Sequence, residues 1–192
     1  MRNIISVSIT AIILFGLLAC SGGGDKEDPK PQPGPTYATG LNYTNPTGTS
    51  YRLVKGAAST SNILILELVG PASASGLGIT FSIQTDTAKA KFVKVNSSDA
   101  ELAQNGNVFQ LGTAPQFFKS VEDGNALLVS LAQKGSGNVR NLDGVLARVA
   151  LQLQSGVTQG TTITLSATGG NILSATGNPT PITIEVGSLV AQ

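Results

Sequence analysis

Short runs of alternating apolar and polar residues fill the chain from residue 37 onward, and this pattern limits its possible folds more than any other feature. In residues 145–153 every second side chain is apolar, with Arg148 and Gln152 among the side chains between them. Successive side chains of a strand point to opposite faces, so the pattern predicts a half-buried strand. No segment of this region carries apolar residues at helical spacing over a dozen positions. We therefore predict an all-β domain.

Turn residues divide the region into about ten predicted strands. Their bounds are residues 51–55, 62–69, 78–84, 88–95, 108–111, 116–120, 125–133, 145–153, 163–167 and 182–186. Glycine, asparagine and aspartate lie between them, as in Glu122-Asp123-Gly124-Asn125, and these residue types favour tight turns. Short strands at this spacing predict an antiparallel β-sandwich of about nine or ten strands, of Greek-key or jelly-roll type.

Three local features refine this prediction. Residues 63–66 are apolar on both faces, which indicates a central strand covered on both sides. The alternation along residues 88–95 shifts between Phe92 and Val93, and we interpret the shift as a β-bulge or a change of sheet. Residues 98–104 form the one predicted helix, a turn or two with Ser98 or Asp99 as the cap at its start and Gly106 as the cap at its end.

Residues 1–20 resemble the signal peptide of a bacterial lipoprotein. An apolar run over residues 4–18 follows a basic residue, and the segment ends in Leu17-Leu18-Ala19-Cys20, which is similar to a lipobox. The run is shorter than the roughly 20 residues that a membrane-spanning helix needs. The resemblance implies cleavage before Cys20, the only cysteine of the chain, and attachment of acyl chains to its thiol. An uncleaved anchor with an incidental cysteine is the alternative.

Residues 21–36 are rich in glycine, proline and charge and have nothing apolar to bury, so we predict a flexible tether to a domain at residues 37–192. Ser21 directly after the cysteine resembles an outer-membrane sorting signal. The acidic cluster at residues 25–28 is interpreted either as a surface-export signal or as solvated linker charge. We therefore expect a lipid-anchored protein of the bacterial cell envelope at the outer membrane, on its periplasmic or its surface side.

Composition excludes several classes of function. The chain has no histidine, so catalytic triads and metal sites that depend on histidine are absent. Twelve basic residues against eleven acidic ones give no basic surface for nucleic acid. Two carboxylate pairs, Asp99 with Glu101 and Glu122 with Asp123, lie in turn-like segments without the apolar surroundings that raise a pKa for acid catalysis. We predict a non-catalytic protein without a metal or cofactor.

Three stretches of the sequence, taken together, resemble the motifs of a known family. They are NILILEL at residues 62–68, GITFSIQTD at 78–86 followed by AKFVKV at 90–95, and GVLARVALQL at 144–153. Together they resemble a cohesin-like domain, a β-sandwich related to some carbohydrate-binding modules, over most of the predicted domain. Gln84-Thr85 and Leu151 depart from the family pattern, which has an apolar-aromatic pair at the first position and commonly Phe at the second.

A cohesin binds its partner mainly through one sheet face and its loops, so the resemblance implies recognition of a dockerin-like protein or a polysaccharide. Asp86 is the nearest to a marked binding position, with a turn acceptor as the alternative. Tyr37 and Tyr43 are the candidate aromatic platforms for sugar rings. Phe117 and Phe118 are adjacent in a predicted strand, so one of them is exposed unless both faces are covered. We favour burial of both at an edge of the sandwich.

Two functions fit these observations. The first is a membrane-anchored, monomeric recognition or adhesion module that binds a protein or a glycan. The second is a structural subunit of an envelope or surface assembly, in which sandwiches pair through an edge strand.

Lipidation of Cys20 is the most direct test of the N-terminal prediction. Mass spectrometry of the mature protein should show that the chain begins at an acylated Cys20, because the lipobox-like motif ends at this thiol. An intact Met1, or a Cys20 without acyl chains, would contradict the prediction.

Overall fold

A computed structural model describes residues 32–109, 116–133 and 139–192. The predicted signal peptide and lipobox, and most of the tether, lie outside the described residues. The compact unit that carries the sandwich spans Pro35–Gln192. Tyr37 makes its first strand-like contact, a bridge to Thr158.

The described residues form sixteen β-strands and contain no helix. The strands are β1 (Leu41–Thr44), β2 (Tyr51–Lys55), β3 (Ile63–Gly70), β4 (Ser75–Gly76), β5 (Gly78–Thr85), β6 (Ala90–Val93), β7 (Ala103–Asn105), β8 (Gln116–Asp123), β9 (Ala126–Gln133), β10 (Arg140–Asn141), β11 (Gly144–Leu153), β12 (Thr162–Ile163), β13 (Leu165–Leu173), β14 (Pro179–Pro181), β15 (Ile184–Glu185) and β16 (Ser188–Ala191). Several are only two or three residues long, which is why their number exceeds the ten predicted.

Two main sheets build the sandwich. The five-stranded sheet has the order β14-β13-β5-β9-β8. The six-stranded sheet has the order β15-β2-β3-β11-β6, with β7 also paired to β11. Among the described pairs of strands, β15 with β2 is parallel and the others are antiparallel. The predicted all-β antiparallel sandwich is confirmed.

One hydrophobic core lies between the two sheets, because each sheet directs alternate apolar side chains toward the other. Its largest fully buried members include Leu64, Leu66 and Leu68 of β3, Ile79, Phe81 and Ile83 of β5, and Leu127 and Leu131 of β9. Ile65, on the opposite face of β3, is also buried. The Ser59 hydroxyl receives the N–H of Ile65 and donates to its carbonyl, so the loop before β3 covers this side. The prediction of a strand covered on both faces is therefore confirmed.

The predicted helix at residues 98–104 is wrong. Its last residues belong to β7, in which Ala103 is buried against the core. The Ser120 hydroxyl of β8 accepts the N–H groups of Leu102 and Ala103, at 2.9 and 3.3 Å. Sheet pairing with β11 and the contact with Ser120 give the backbone N–H groups of this segment their hydrogen-bond partners. A short helix would therefore offer no further stabilisation.

The predicted bulge between Phe92 and Val93 is also wrong. β6 pairs with β11 in continuous register through both residues, and the alternation stops because β6 ends at Val93. Irregularities lie instead at Leu146 in β11 and at Thr168 in β13.

Two further predicted strands are shorter in the structure. Residues 108–109 lie outside any strand, and the other two residues of the strand predicted at 108–111 lie outside the described residues. The strand predicted at 182–186 is reduced to β15.

The core should be intolerant of charge at Val149, which is buried in β11 opposite Leu66. Val149→Asp should lower the free energy of unfolding of the unit from Pro35 by about 3 kcal/mol or more, because it buries an unpaired carboxylate. Val121→Asp is the matched control, since Val121 is 48% exposed and its replacement should change the free energy by less than about 0.5 kcal/mol. Chemical denaturation measures both free energies of unfolding. Equal effects of the two substitutions would contradict the assignment of Val149 to the core and of Val121 to the exposed face.

Candidate functional site

Exposed apolar side chains concentrate on the outer face, which we define as the side of the five-stranded sheet that points away from the core. Phe117 and Val121 of β8 and Leu128 of β9 are 56%, 48% and 44% exposed. Val121 and Leu128 are direct cross-strand neighbours. Among the described residues, three of the four large exposed apolar side chains lie here, and the fourth is Tyr37. Scattered apolar residues are normal on a protein surface, whereas a cluster on one face marks a candidate binding surface.

A depression of about 240 Å³ lies in the outer face beside Phe117. Its lining residues are Ile79, Thr80, Phe117, Ser130, Leu131, Ala132, Asn171, Leu173 and Pro179. Gly78 of β5 lies between its cross-strand neighbours, Leu173 of β13 and Ala132 of β9, and has no side chain to fill this position. A Cβ at Gly78 would approach the Ala132 Cα to 2.6 Å, so this register requires glycine.

One side of the depression is polar. The Thr80 hydroxyl donates to the Ser130 hydroxyl at 3.1 Å across β5 and β9. Asn171 of β13 is exposed beside them. The depression therefore combines apolar lining residues with hydroxyl and amide groups, which is the usual composition of a recognition site.

Charge is almost absent from the outer face. Among the described residues that point outward from β5, β8, β9, β13 and β14, Lys119 is the one cation and Asp123 the one anion. The Lys119 Nζ lies 2.9 Å from Glu101 Oε1. Glu101 Oε2 accepts the backbone N–H of Ser120 at 2.8 Å and its hydroxyl at 3.0 Å.

These contacts lower the pKa of Glu101 below its ordinary value of 4.5. The backbone N–H of Ser120 makes the largest contribution, followed by the ammonium of Lys119. Both groups favour the charged carboxylate, which is consistent with a group that holds its partners rather than one that exchanges protons at neutral pH.

Tyr43, predicted as a sugar platform, is buried and unavailable for stacking. Its hydroxyl donates to the Leu53 carbonyl at 3.0 Å and accepts the Gly187 N–H at 2.7 Å. Burial raises its pKa, and the bond from Gly187 partly offsets the rise. The side chain therefore joins β1, β2 and the turn before β16.

The structure separates the other predicted site residues. Phe118 packs against the core while Phe117 is exposed, so the favoured burial of both is wrong. Asp86 binds Lys89 at 2.7 Å and accepts the Ala88 N–H, which are the contacts of a turn acceptor. Tyr37 is 56% exposed but lies off the outer face, beside Thr158. Phe117 alone of the predicted residues belongs to the cluster.

The carboxylates considered for catalysis do not face one another across a cleft. Asp99 accepts the N–H of Asn96 in a tight turn, and Glu101 binds Ser120 and Lys119. The part of the chain that the structure describes contains no cluster of three acidic, histidine or cysteine side chains able to hold a metal. No helix among the same residues is long and apolar enough to cross a membrane.

Sequence reasoning missed Glu101, Lys119, Val121 and Leu128. Leu127-Leu128 is a second adjacent apolar pair beside Phe117-Phe118 in one predicted hairpin, and this repetition is a signal for an apolar outer side. The contact of Glu101 with Lys119 joins two segments that no local pattern relates.

No family model matches the chain, and no curated protein matches it. Solved structures do match. The second type II cohesin module of the adaptor ScaA scaffoldin of Acetivibrio cellulolyticus, with its long C-terminal linker, has a TM-score of 0.61 at 14% identity, covering 76% of this chain and 91% of that one. Type II cohesin A11 of Bacteroides cellulosolvens has a TM-score of 0.58 at 12% identity, covering 74% and 98%.

A third structure is a type II cohesin–X-dockerin complex from Acetivibrio cellulolyticus, with a TM-score of 0.57 at 12% identity, covering 72% of this chain and 95% of the matched one. The domain has a cohesin-like fold. The fold predicted from the three sequence stretches is thereby confirmed. In this cohesin-like sandwich those stretches supply β3, β5 with β6, and β11.

Loss of the Tyr43 hydroxyl should destabilise the cohesin-like sandwich. Tyr43→Phe should lower the free energy of unfolding by about 1–2 kcal/mol, because it leaves the Gly187 N–H without its acceptor. Tyr37→Phe is the matched control and should change it by less than about 0.5 kcal/mol. Denaturant titration measures both, and a neutral Tyr43→Phe would contradict the structural role.

The contribution of Glu101 to stability should depend on pH. A carboxyl group whose pKa is lowered by folding stabilises the fold above its unfolded pKa, and this stabilisation disappears as the pH falls through the lowered pKa. The free energy of unfolding of the wild type should therefore exceed that of Glu101→Gln by more at pH 7 than at about pH 3. Glu122→Gln, without an ion pair among the described residues, is the control. A difference independent of pH would contradict the assigned contacts.

Proposed function

We propose that the chain is a non-catalytic recognition module of the bacterial envelope, anchored by lipid on Cys20, that binds a protein partner through the outer face. The observation that carries this proposal is the concentration of exposed apolar side chains on that face. The similar fold of a cohesin solved in complex with an X-dockerin supports a protein of the dockerin kind as the partner.

The outer face offers most of the area that such a partner needs. Strand spacing of about 4.8 Å and a rise of about 3.3 Å per residue give this sheet, in which β14 is shorter than the other four strands, a face of at most about 20 Å by 25 Å, or roughly 500 Å². A standard protein interface buries roughly 800 Å² of each partner, so we expect the loops around the face to contribute as well. The exposed apolar residues of β8 and β9 and the scarcity of charge resemble the composition of interface cores.

The site lies far from the point where the tether enters the sandwich. Tyr37 bridges Thr158, and the segment that follows leads to the start of β13, which pairs with the Thr85 end of β5. The depression is at the Gly78 end of β5, about 23 Å away along the strand.

A glycan is a weaker candidate for the ligand. Stacking on sugar rings needs exposed aromatic planes, and Phe117 is the one aromatic side chain among the described outward positions of this face. Tyr43 is buried, and Tyr37 lies at the other end of the sandwich.

Assembly through an edge strand is also less well supported. Pro179 and Pro181 lie in the edge strand β14, and proline offers no N–H for pairing. At the other edge of this sheet, Glu101 accepts the Ser120 N–H of β8. Both edges of the five-stranded sheet therefore lack backbone N–H groups that could pair with a further strand at these positions.

Binding should depend on Phe117. The unit from Pro35 is used as bait for the organism's own envelope and secreted proteins, for a type II X-dockerin of Acetivibrio cellulolyticus and for a panel of cell-wall and plant polysaccharides. We expect saturable binding to a protein that Phe117→Ala weakens at least fivefold, as for a large aromatic side chain that becomes buried in an interface. Tyr37→Ala, which removes an equally exposed aromatic ring elsewhere, should leave the affinity unchanged.

Two results would contradict the proposal. One is binding to polysaccharides but to no protein. The other is a protein partner whose affinity is insensitive to Phe117→Ala while the variant remains folded by circular dichroism.

A further inference from the structure

The charge of the outer face depends on a residue that does not belong to it. Lys119 lies between Phe117 and Val121 among the outward positions of β8, and its ammonium is 2.9 Å from Glu101. Glu101 precedes β7, which is paired to β11 in the other sheet. The carboxylate therefore links the segment before β7 to β8, the edge strand of the five-stranded sheet.

The carboxylate is held more firmly than the ammonium. The Glu101 side chain is 17% exposed and receives three hydrogen-bond donors, from the backbone and hydroxyl of Ser120 and from Lys119. The Lys119 side chain is 55% exposed, and among the described residues Glu101 is the one partner of its ammonium. The contacts to Ser120 thus place a negative charge at the rim of the outer face, and the more exposed lysine pairs with it.

We propose that Glu101 is a positioning residue that sets the specificity of the recognition face, a role that rests on the proposed function. By holding Lys119 at the rim, it neutralises the one cation among the described outward positions. The strip formed by Phe117, Val121 and Leu128 is then apolar and uncharged. Asp123, at the end of β8, is then the one charge among the described outward positions without an ion pair, so the face favours an apolar partner surface and gives no advantage to an acidic one.

The opposite preference follows if Lys119 is released. An unpaired ammonium beside apolar side chains would attract ligands that combine an apolar body with an anionic group. Glu101 hence decides between neutral and anionic partners, although it contacts neither.

Two variants separate this role from a structural one. Glu101→Gln keeps an oxygen acceptor for the Ser120 N–H but removes the charge that holds Lys119. Lys119→Met removes the cation and leaves the bonds between Glu101 and Ser120 in place. If Glu101 only secured β8, the identity of the probe would not matter to either variant.

The test compares two fluorescent probes on the unit from Pro35, which has its own hydrophobic core. One probe is anionic and apolar, 1-anilinonaphthalene-8-sulfonate, and the other is neutral and apolar, Nile red. We expect Glu101→Gln to bind the anionic probe roughly two- to fivefold more tightly than the wild type, the size of an exposed ion pair. Affinity for Nile red should be unchanged.

Three controls define the source of the effect. The gain should disappear in the double variant Glu101→Gln with Lys119→Met and should shrink at about 0.5 M salt, where exposed charges are screened. Glu122→Gln removes a carboxylate from the same strand without freeing Lys119 and should give a smaller gain. Phe117→Ala should weaken both probes, which places them on the outer face.

Three results would overturn the role of Glu101. They are an equal gain of affinity for the anionic probe in Glu122→Gln, a gain that survives Lys119→Met, and an equal change in the affinity for Nile red. Probe binding that is absent or insensitive to Phe117→Ala would overturn both this role and the outer face as a binding surface. If the probe contrast holds and no protein partner binds, the proposed function falls and the role of Glu101 stands.

Discussion

The packing of two sheets against a single hydrophobic core is the constraint on which this domain depends. Its one cysteine lies in the predicted signal segment, so no disulfide within the chain can stabilise the sandwich. Alternate side chains such as Phe81 and Val149 are buried in the core, and their close packing stabilises the sandwich. On the five-stranded sheet the remaining side chains, such as Phe117 and Leu128, point away from the core and are free to serve recognition.

Because of this division, the residues of the outer face can indicate what the domain binds. Leaving Phe117, Val121 and Leu128 in water forgoes the free energy that their burial would supply, at about 25 cal/mol for each Å² of apolar surface. The same sheet carries proline at one edge and a bound carboxylate at the other. The five-stranded sheet thus combines edges that oppose strand addition with a face that retains apolar surface, which supports the proposed recognition of a separate partner.

The alternation of apolar and polar residues predicted the positions of the longer strands, which depend on local sequence. Residues 51–55 match β2 in both bounds, and β3, β5, β9 and β11 differ from their predicted bounds by one residue at one or both ends. The failures have non-local causes: the Ser120 hydroxyl and pairing with β11 convert the predicted helix into β7. Tyr43 was misjudged because its hydrogen-bond partners, Leu53 and Gly187, are remote from it in the chain. For the candidate site, Phe117 could be found from its neighbour Phe118, but the contact between Glu101 and Lys119 requires the folded chain.

The footprint of a bound protein partner on the sandwich tests the central claim most directly. Hydrogen–deuterium exchange of the unit from Pro35, with and without the partner, compares peptides that cover β8 and β9 with peptides that cover β3 and β11. Recognition through the outer face predicts new protection in β8 and β9 and unchanged exchange in β3 and β11. Protection confined to the six-stranded sheet, with β8 and β9 unaffected, would contradict it.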